Sequence, residues 1–309
     1  MAGPGVVDLL LSPYFLALLG LAVGSFLNVV THRLPLMLER QWWGDVRHQM
    51  QDDASYRRVF DAAPPNAVLQ AASVLNQGLA ALPPLSLARP ASRCPSCGLA
   101  IRWYHNIPLI GWLWLRGRCA QCRAPIGPRY PLIELLCGIV FALVGWRFGA
   151  QPVALLWCGF AAVLLALSVI DWDTTVLPDD LTLPLLWAGL LASAAGWTIP
   201  LPHAIVGACA GYLSLWAVYW LFKLATGKEG MGYGDFKLLA AIGAWLGWQA
   251  LLPIVLAASI IGAAVGIAMK IAGELREGRF VPFGPFLAGG GIAVMLVGTK
   301  RALDWLGWV

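Results

Sequence analysis

Charge is what this chain of 309 residues has least of. Only 12% of its residues are Asp, Glu, Lys or Arg, while 59% are hydrophobic and the mean hydropathy is +0.72. About a quarter of the residues in an ordinary soluble domain are charged, so that class is excluded. A strand-based glycine loop of the nucleotide-binding type is also missing. So is a convincing repeat between the two halves, which ion-coupled carriers often show. The first apolar run lacks a basic n-region and a small-residue cleavage site, and reads as a retained anchor rather than a removed signal. From Asp61 to Pro90 no period persists, so this stretch is expected to be a loose linker without identifiable chemistry.

What the chain does have is long apolar runs. Eight are of spanning length, near 13–31, 131–149, 153–170, 181–198, 203–222, 237–252, 253–271 and 283–299, with Pro253 alone separating the sixth from the seventh. The expected fold is an all-α polytopic membrane protein of about eight transmembrane helices, with a small cytosolic zinc-binding loop domain. Residues 1–35 form the first span and its motif, 36–130 the loop, and 131–309 the remaining membrane domain. Twelve Lys or Arg fall within 32–130 and three each around 223–237 and 270–279, whereas the other side has Arg147, Lys300 and Arg301. The positive-inside rule then puts the long loop and the Asp235 loop in the cytosol and both termini outside. Topology accounts for the net charge of +5, so no nucleic-acid partner is called for.

Two cysteine pairs organise the loop. Cys94-Pro95-Ser96-Cys97 is followed after 21 residues by Cys119-Ala120-Gln121-Cys122. Each C-x-x-C turn offers two thiolates, and two such turns at this separation fit a tetrahedral zinc site. A reducing cytosol disfavours two disulfides, and a thioredoxin-type pair needs only one C-x-x-C. Four protein ligands leave no open position, so the metal would hold the loop together rather than activate water. His105 then reads as a surface or packing residue. Cys137, Cys158 and Cys209 lie in apolar runs and read as small core residues.

Carboxylates at the ends of apolar runs carry the catalytic signal. An Asp at the centre of a membrane helix costs roughly 2.5–3.5 kcal/mol, falling toward the interface. Asp235, in Met231-Gly232-Tyr233-Gly234-Asp235-Phe236-Lys237, and Asp171, directly after the run ending at Ile170, both stand at such boundaries. Asp173 is expected to face water, and Asp179 or Asp180 suits a helix N-cap, which leaves Asp171 as the partner of Asp235. Two neighbouring carboxylates do not both ionise readily, so one can hold a proton while the other acts as base for hydrolysis of a peptide by water. Gly232 and Gly234 would let an extended substrate backbone approach closely. Glu134, one turn into the second span, is expected to pair with an arginine such as Arg129, with chemistry as the alternative. Gly24 and Ser25 read as small residues permitting close helix packing, and Asn28 and His32 as groups satisfied by helix partners. Trp42 and Trp43, between Arg40 and Arg47, read as an amphipathic segment on the membrane surface.

Taken together, these motifs resemble the type IV prepilin peptidases, also called leader peptidase/N-methyltransferases. The resemblance runs through Gly24-Ser25-Phe26-Leu27-Asn28 to Arg33-Leu34-Pro35, the cysteine turns, Arg116-Gly117-Arg118-Cys119, Arg129-Tyr130-Pro131 with Glu134, Asp171 with Leu177-Pro178-Asp179, and Gly232-Tyr233-Gly234-Asp235; residues 52–90 match no family pattern. It implies an aspartyl pair, Asp171 and Asp235, that acts on prepilins or type II secretion pseudopilins after a glycine ending a short basic leader. It further implies methylation of the new N-terminal residue from S-adenosylmethionine, and a bacterial inner membrane location. Pattern does not place the methyl donor; Gly117 and Glu134, near the zinc loop, are its candidate contacts. The Gly-x-Gly-Asp motif also occurs in presenilin-like proteases, but the cysteine turns and Leu177-Pro178-Asp179 argue against that reading. An ion-coupled transporter is the alternative from another class. The sequence says nothing of oligomeric state.

Overall fold

A computed structural model describes residues 5–273 and 281–308. The basic residues Arg276 and Arg279, counted above toward topology, lie outside the described residues. Among the described residues the regular structure is helical, with two isolated bridges and no strands. The helices are α1 (Val6–Leu10), α2 (Pro13–Gln51), α3 (Asp53–Phe60), α4 (Asn66–Ala81), α5 (Ile110–Trp114), α6 (Arg129–Phe148) and α7 (Val153–Thr174). They continue with α8 (Asp179–Ala194), α9 (Leu201–Thr226), α10 (Tyr233–Leu246), α11 (Leu251–Ile271), α12 (Gly284–Val297) and α13 (Thr299–Trp305).

Each of the eight apolar runs becomes a helix, and the helices differ in length. Five are long and apolar enough to cross a bilayer: α2, α6, α7, α9, and α11 with the short turn before it. A sixth is reached if α12 and α13, bent by 104° at Gly298, form one span. At a rise of about 1.5 Å per residue, the 16 residues of α8 and 14 of α10 cover about 24 and 21 Å, short of the ~30 Å hydrocarbon core. The reason is local. The chain turns at Pro178 and Gly232 before these helices, and Gly247, at φ +84°, ends α10. The sixth and seventh runs therefore part at Gly247 rather than at Pro253. Pro253 lies in the first turn of α11, where its missing N–H would have had no helical acceptor.

α2 runs unbroken for 39 residues through Pro35, about 58 Å, so its C-terminal half projects beyond any bilayer its N-terminal half crosses. The segment bearing Trp42 and Trp43 continues this helix rather than forming a separate surface element. The expected loose linker is likewise corrected: residues 66–81 form α4, which packs back on α2. Its Ala- and Leu-rich sequence favours helix without needing a sharp apolar stripe. The strap that follows is tied down by Arg33, a buried residue of α2. Its guanidinium donates to the carbonyls of Ser86 at 2.9 Å and Pro90 at 2.7 Å, and Leu87 packs on Val30, Leu34 and Ile170.

The core gathers around α7 and α10. α10 is enclosed by α8, α9 and α12, and from Asp235 to Leu246 every residue except Lys237 is buried. Glycine makes the closest approach possible. A Cβ on Gly207 of α9 would stand 2.2 Å from the Gly243 carbonyl oxygen of α10, and one on Gly243 2.2 Å from that of Gly207.

Candidate active site

Asp171 lies in the last turn of α7 and Asp235 in the first turn of α10. Both are buried, at 5% and 7% exposure. The two turns meet through Leu177, in the extended link between α7 and α8. A Cβ on Gly234 would lie 2.8 Å from Leu177 Cβ, and one on Gly284 3.2 Å from Leu177 Cδ1 and 2.5 Å from Asp171 Oδ2. Gly284 closes the chain of contacts by donating its backbone N–H to Asp171 Oδ2 at 3.0 Å. Asp235 Oδ1 is fully buried and has no hydrogen-bond partner among the described residues. The face of Gly234 that a substrate was expected to approach is filled by Leu177, whereas the Gly232 Cβ position meets no side chain within 4 Å.

The competing acids are engaged elsewhere. Asp173 binds the Arg129 guanidinium through both oxygens, one contact at 2.8 Å, and so does not simply face water. Asp179 is the first residue of α8 rather than its cap, since Pro178 holds the N-cap position, and it pairs with Lys237 at 2.7 Å. That pair links α8 to α10 two residues past Asp235. Because Arg129 is taken by Asp173, the expected Arg129–Glu134 pairing does not form. Glu134 Oε2 instead accepts the backbone N–H of Leu109 at 2.8 Å, between the cysteine turns. Leu109 holds the unusual backbone φ +59°, ψ −49°.

The four cysteines converge. One ligand atom from each of Cys94, Cys97, Cys119 and Cys122 lies within 4.8 Å of the others. The Sγ atoms of Cys94 and Cys122 are 3.8 Å apart, and a tetrahedron of Zn–S bonds near 2.3 Å has edges of about 3.8 Å. The two turns are built alike: Gly98 N–H donates to Cys94 O and Cys94 N–H to Leu99 O, while Arg123 N–H donates to Cys119 O and Cys119 N–H to Ala124 O. N–H groups of Cys97 and Ser96 aimed at the sulfur bring the Cys94 thiol down to about 6, while, against the N–H of Ala124, burial and the three neighbouring sulfurs push the Cys122 thiol up to about 11. The donor set therefore fits a metal ion. His105 is not part of the group. Of the remaining cysteines, Cys137 and Cys158 are buried as expected, but Cys209 is exposed on α9.

Comparison with known proteins identifies the family. Residues 18–148 match the Bacterial Peptidase A24 N-terminal domain and 158–267 the Type IV leader peptidase family. A Burkholderia pseudomallei (strain K96243) protein named prepilin leader peptidase/N-methyltransferase is 48% identical over 285 residues, covering 92% of this chain and 85% of its own. The chain belongs to the prepilin leader peptidase/N-methyltransferase family. Proteins of the same name from Aeromonas hydrophila and Pseudomonas aeruginosa PAO1 are 48% identical over 288 residues and 45% over 293, covering 92% and 94% of this chain and 90% and 91% of theirs. No solved structure matches.

Within this prepilin leader peptidase fold, the sequence reading missed Gly284. Its signal was present in Pro282-Phe283-Gly284-Pro285, where a glycine between apolar residues opens an apolar run. Nothing in the pattern pointed to Arg33 as the anchor of a strap more than 50 residues away.

Proposed function

We propose that the chain cleaves the basic leader from prepilins or pseudopilins with Asp171 and Asp235, and then methylates the new N-terminus. The observation that carries this reading is the burial of two carboxylates at adjoining helix ends, joined through Leu177 and Gly284. One carboxylate takes a proton from water as the water oxygen bonds to the peptide carbonyl carbon. The other, protonated, donates a hydrogen bond to the developing oxyanion. Collapse of that intermediate breaks the C–N bond, and the leaving nitrogen takes up a proton. The pair acts as a unit, with no proton assigned to either member. Both helix ends belong, on this reading, to the cytosolic face of a bacterial inner membrane, with both termini periplasmic.

The cysteine group holds zinc in a structural role. S-adenosylmethionine supplies the methyl group when bound. Glu134 and the loop at Gly117 are the residues we assign to its binding wall. Glu134 uses Oε2 on Leu109, and its Oε1 makes no hydrogen bond among the described residues, which leaves a carboxylate oxygen for a cationic donor. Gly117, at φ +67°, packs against the Trp112 ring and shapes the loop.

The test is cleavage of a purified prepilin in detergent by wild type, Asp171→Asn and Asp235→Asn, with N-terminal methylation followed by mass spectrometry. Each variant should lose cleavage by about 10²–10⁴-fold while still methylating a precleaved substrate. Normal cleavage by either would remove that residue from the pair.

A further inference from the structure

Asp171 is badly placed by its own helix. It lies in the last turn of α7, where unpaired carbonyls give the helix its negative end, and a carboxylate is disfavoured there. What compensates comes from another element. α12 opens at Gly284, whose N–H is one of the first-turn donors a helix cannot satisfy internally. Pro285 next to it has no N–H, and the N–H groups of Phe286 and Leu287 turn back to Phe283 O. The Gly284 N–H is thus the first-turn donor committed outward, and it goes to Asp171 Oδ2 in a buried setting.

The fit leaves no room for a side chain. A Cβ at Gly284 would stand 2.5 Å from Asp171 Oδ2, and Leu177 blocks escape at 3.2 Å. The bond fixes one oxygen of Asp171 and leaves Oδ1 without a protein partner among the described residues, so water and substrate are left to Oδ1. We infer that Gly284 is a positioning residue of the peptidase centre, holding Asp171 in its working orientation through the N-terminus of α12. This inference rests on Asp171 belonging to the catalytic pair. It makes the centre an assembly of three helix ends, those of α7, α10 and α12.

The test uses the full-length enzyme in detergent with a peptide substrate carrying a lysine-rich leader, a glycine and then phenylalanine. Gly284→Ala should lower kcat for cleavage by about 100-fold, as expected when a catalytic group shifts by about 1 Å. KM and methylation of a precleaved substrate should stay within about twofold of wild type. Gly289→Ala on the same helix, where a Cβ meets nothing within 4 Å, should cleave normally. Wild-type kcat in Gly284→Ala would overturn the inference. So would a defect confined to KM, or a parallel loss of methylation, since either would give Gly284 a substrate-binding or general structural role. Full cleavage by Asp171→Asn would overturn the carboxylate-pair reading instead, independently of how Gly284→Ala behaves.

Discussion

At the scale of single residues, a polar group in an apolar setting acquires a partner, and the partner is often one that sequence spacing does not suggest. Glu134 illustrates this. The expectation of an arginine was reasonable for a carboxylate one turn into a span, yet Arg129 reaches Asp173 and Glu134 serves a backbone N–H in the cysteine loop. Hydrogen bonds to a charged group contribute about 1.5–3 kcal/mol, and this one braces Leu109 at a positive φ that only a fixed loop would retain. Glu134→Ala should therefore loosen residues 102–118, seen as faster tryptic cleavage at Arg116 and Arg118, and should reduce methylation more than leader cleavage. Lys237→Ala breaks the exposed contact to Asp179, and such pairs contribute about 0–1 kcal/mol. Its thermal midpoint in detergent should barely move.

At the scale of helices, small residues decide how near two axes come. Gly24 was legible as a packing glycine, and a Cβ there would stand 2.7 Å from Glu134 Cα on α6. The Gly207–Gly243 crossing follows the same rule, with backbone against backbone. Gly207→Leu should push α9 away from α10, destabilise the fold by about 3 kcal/mol or more, and abolish cleavage and methylation together, read as a lowered thermal midpoint and loss of both products. Helix limits were less legible than helix existence. Hydropathy counts apolar residues without seeing that Gly247 turns the chain, so the boundary between α10 and its successor read as Pro253. α4 escaped notice for the opposite reason, being helical by propensity rather than by period.

At the scale of the whole molecule, the cysteine loop and the membrane bundle are joined through α2, α6 and the contacts of Arg33 and Glu134. Stripping the metal with a chelator should open residues 94–122 to protease and impair methylation first, with leader cleavage falling only as the loop detaches; simultaneous measurement of both products checks the order. The buried aspartates at the two helix ends and the cysteine cluster were readable because both stand out as particular residue types at particular places in an apolar chain. Gly284 was not, because its contribution is a backbone N–H that any residue but proline carries, and only three-dimensional crowding makes glycine necessary.

The enclosure of α10 also determines how the protein tolerates genetic change. On α9 the buried positions are Ala204, Gly207, Gly211, Leu215 and Tyr219, one per turn, so a saturation scan of that helix should show sensitivity rising and falling with a 3.6-residue beat. From Asp235 to Leu246, Lys237 is the one position of α10 that is not buried. The same scan across 235–246 should be flat and uniformly intolerant apart from Lys237, which leaves drift in this enzyme to the lipid-facing helices around it.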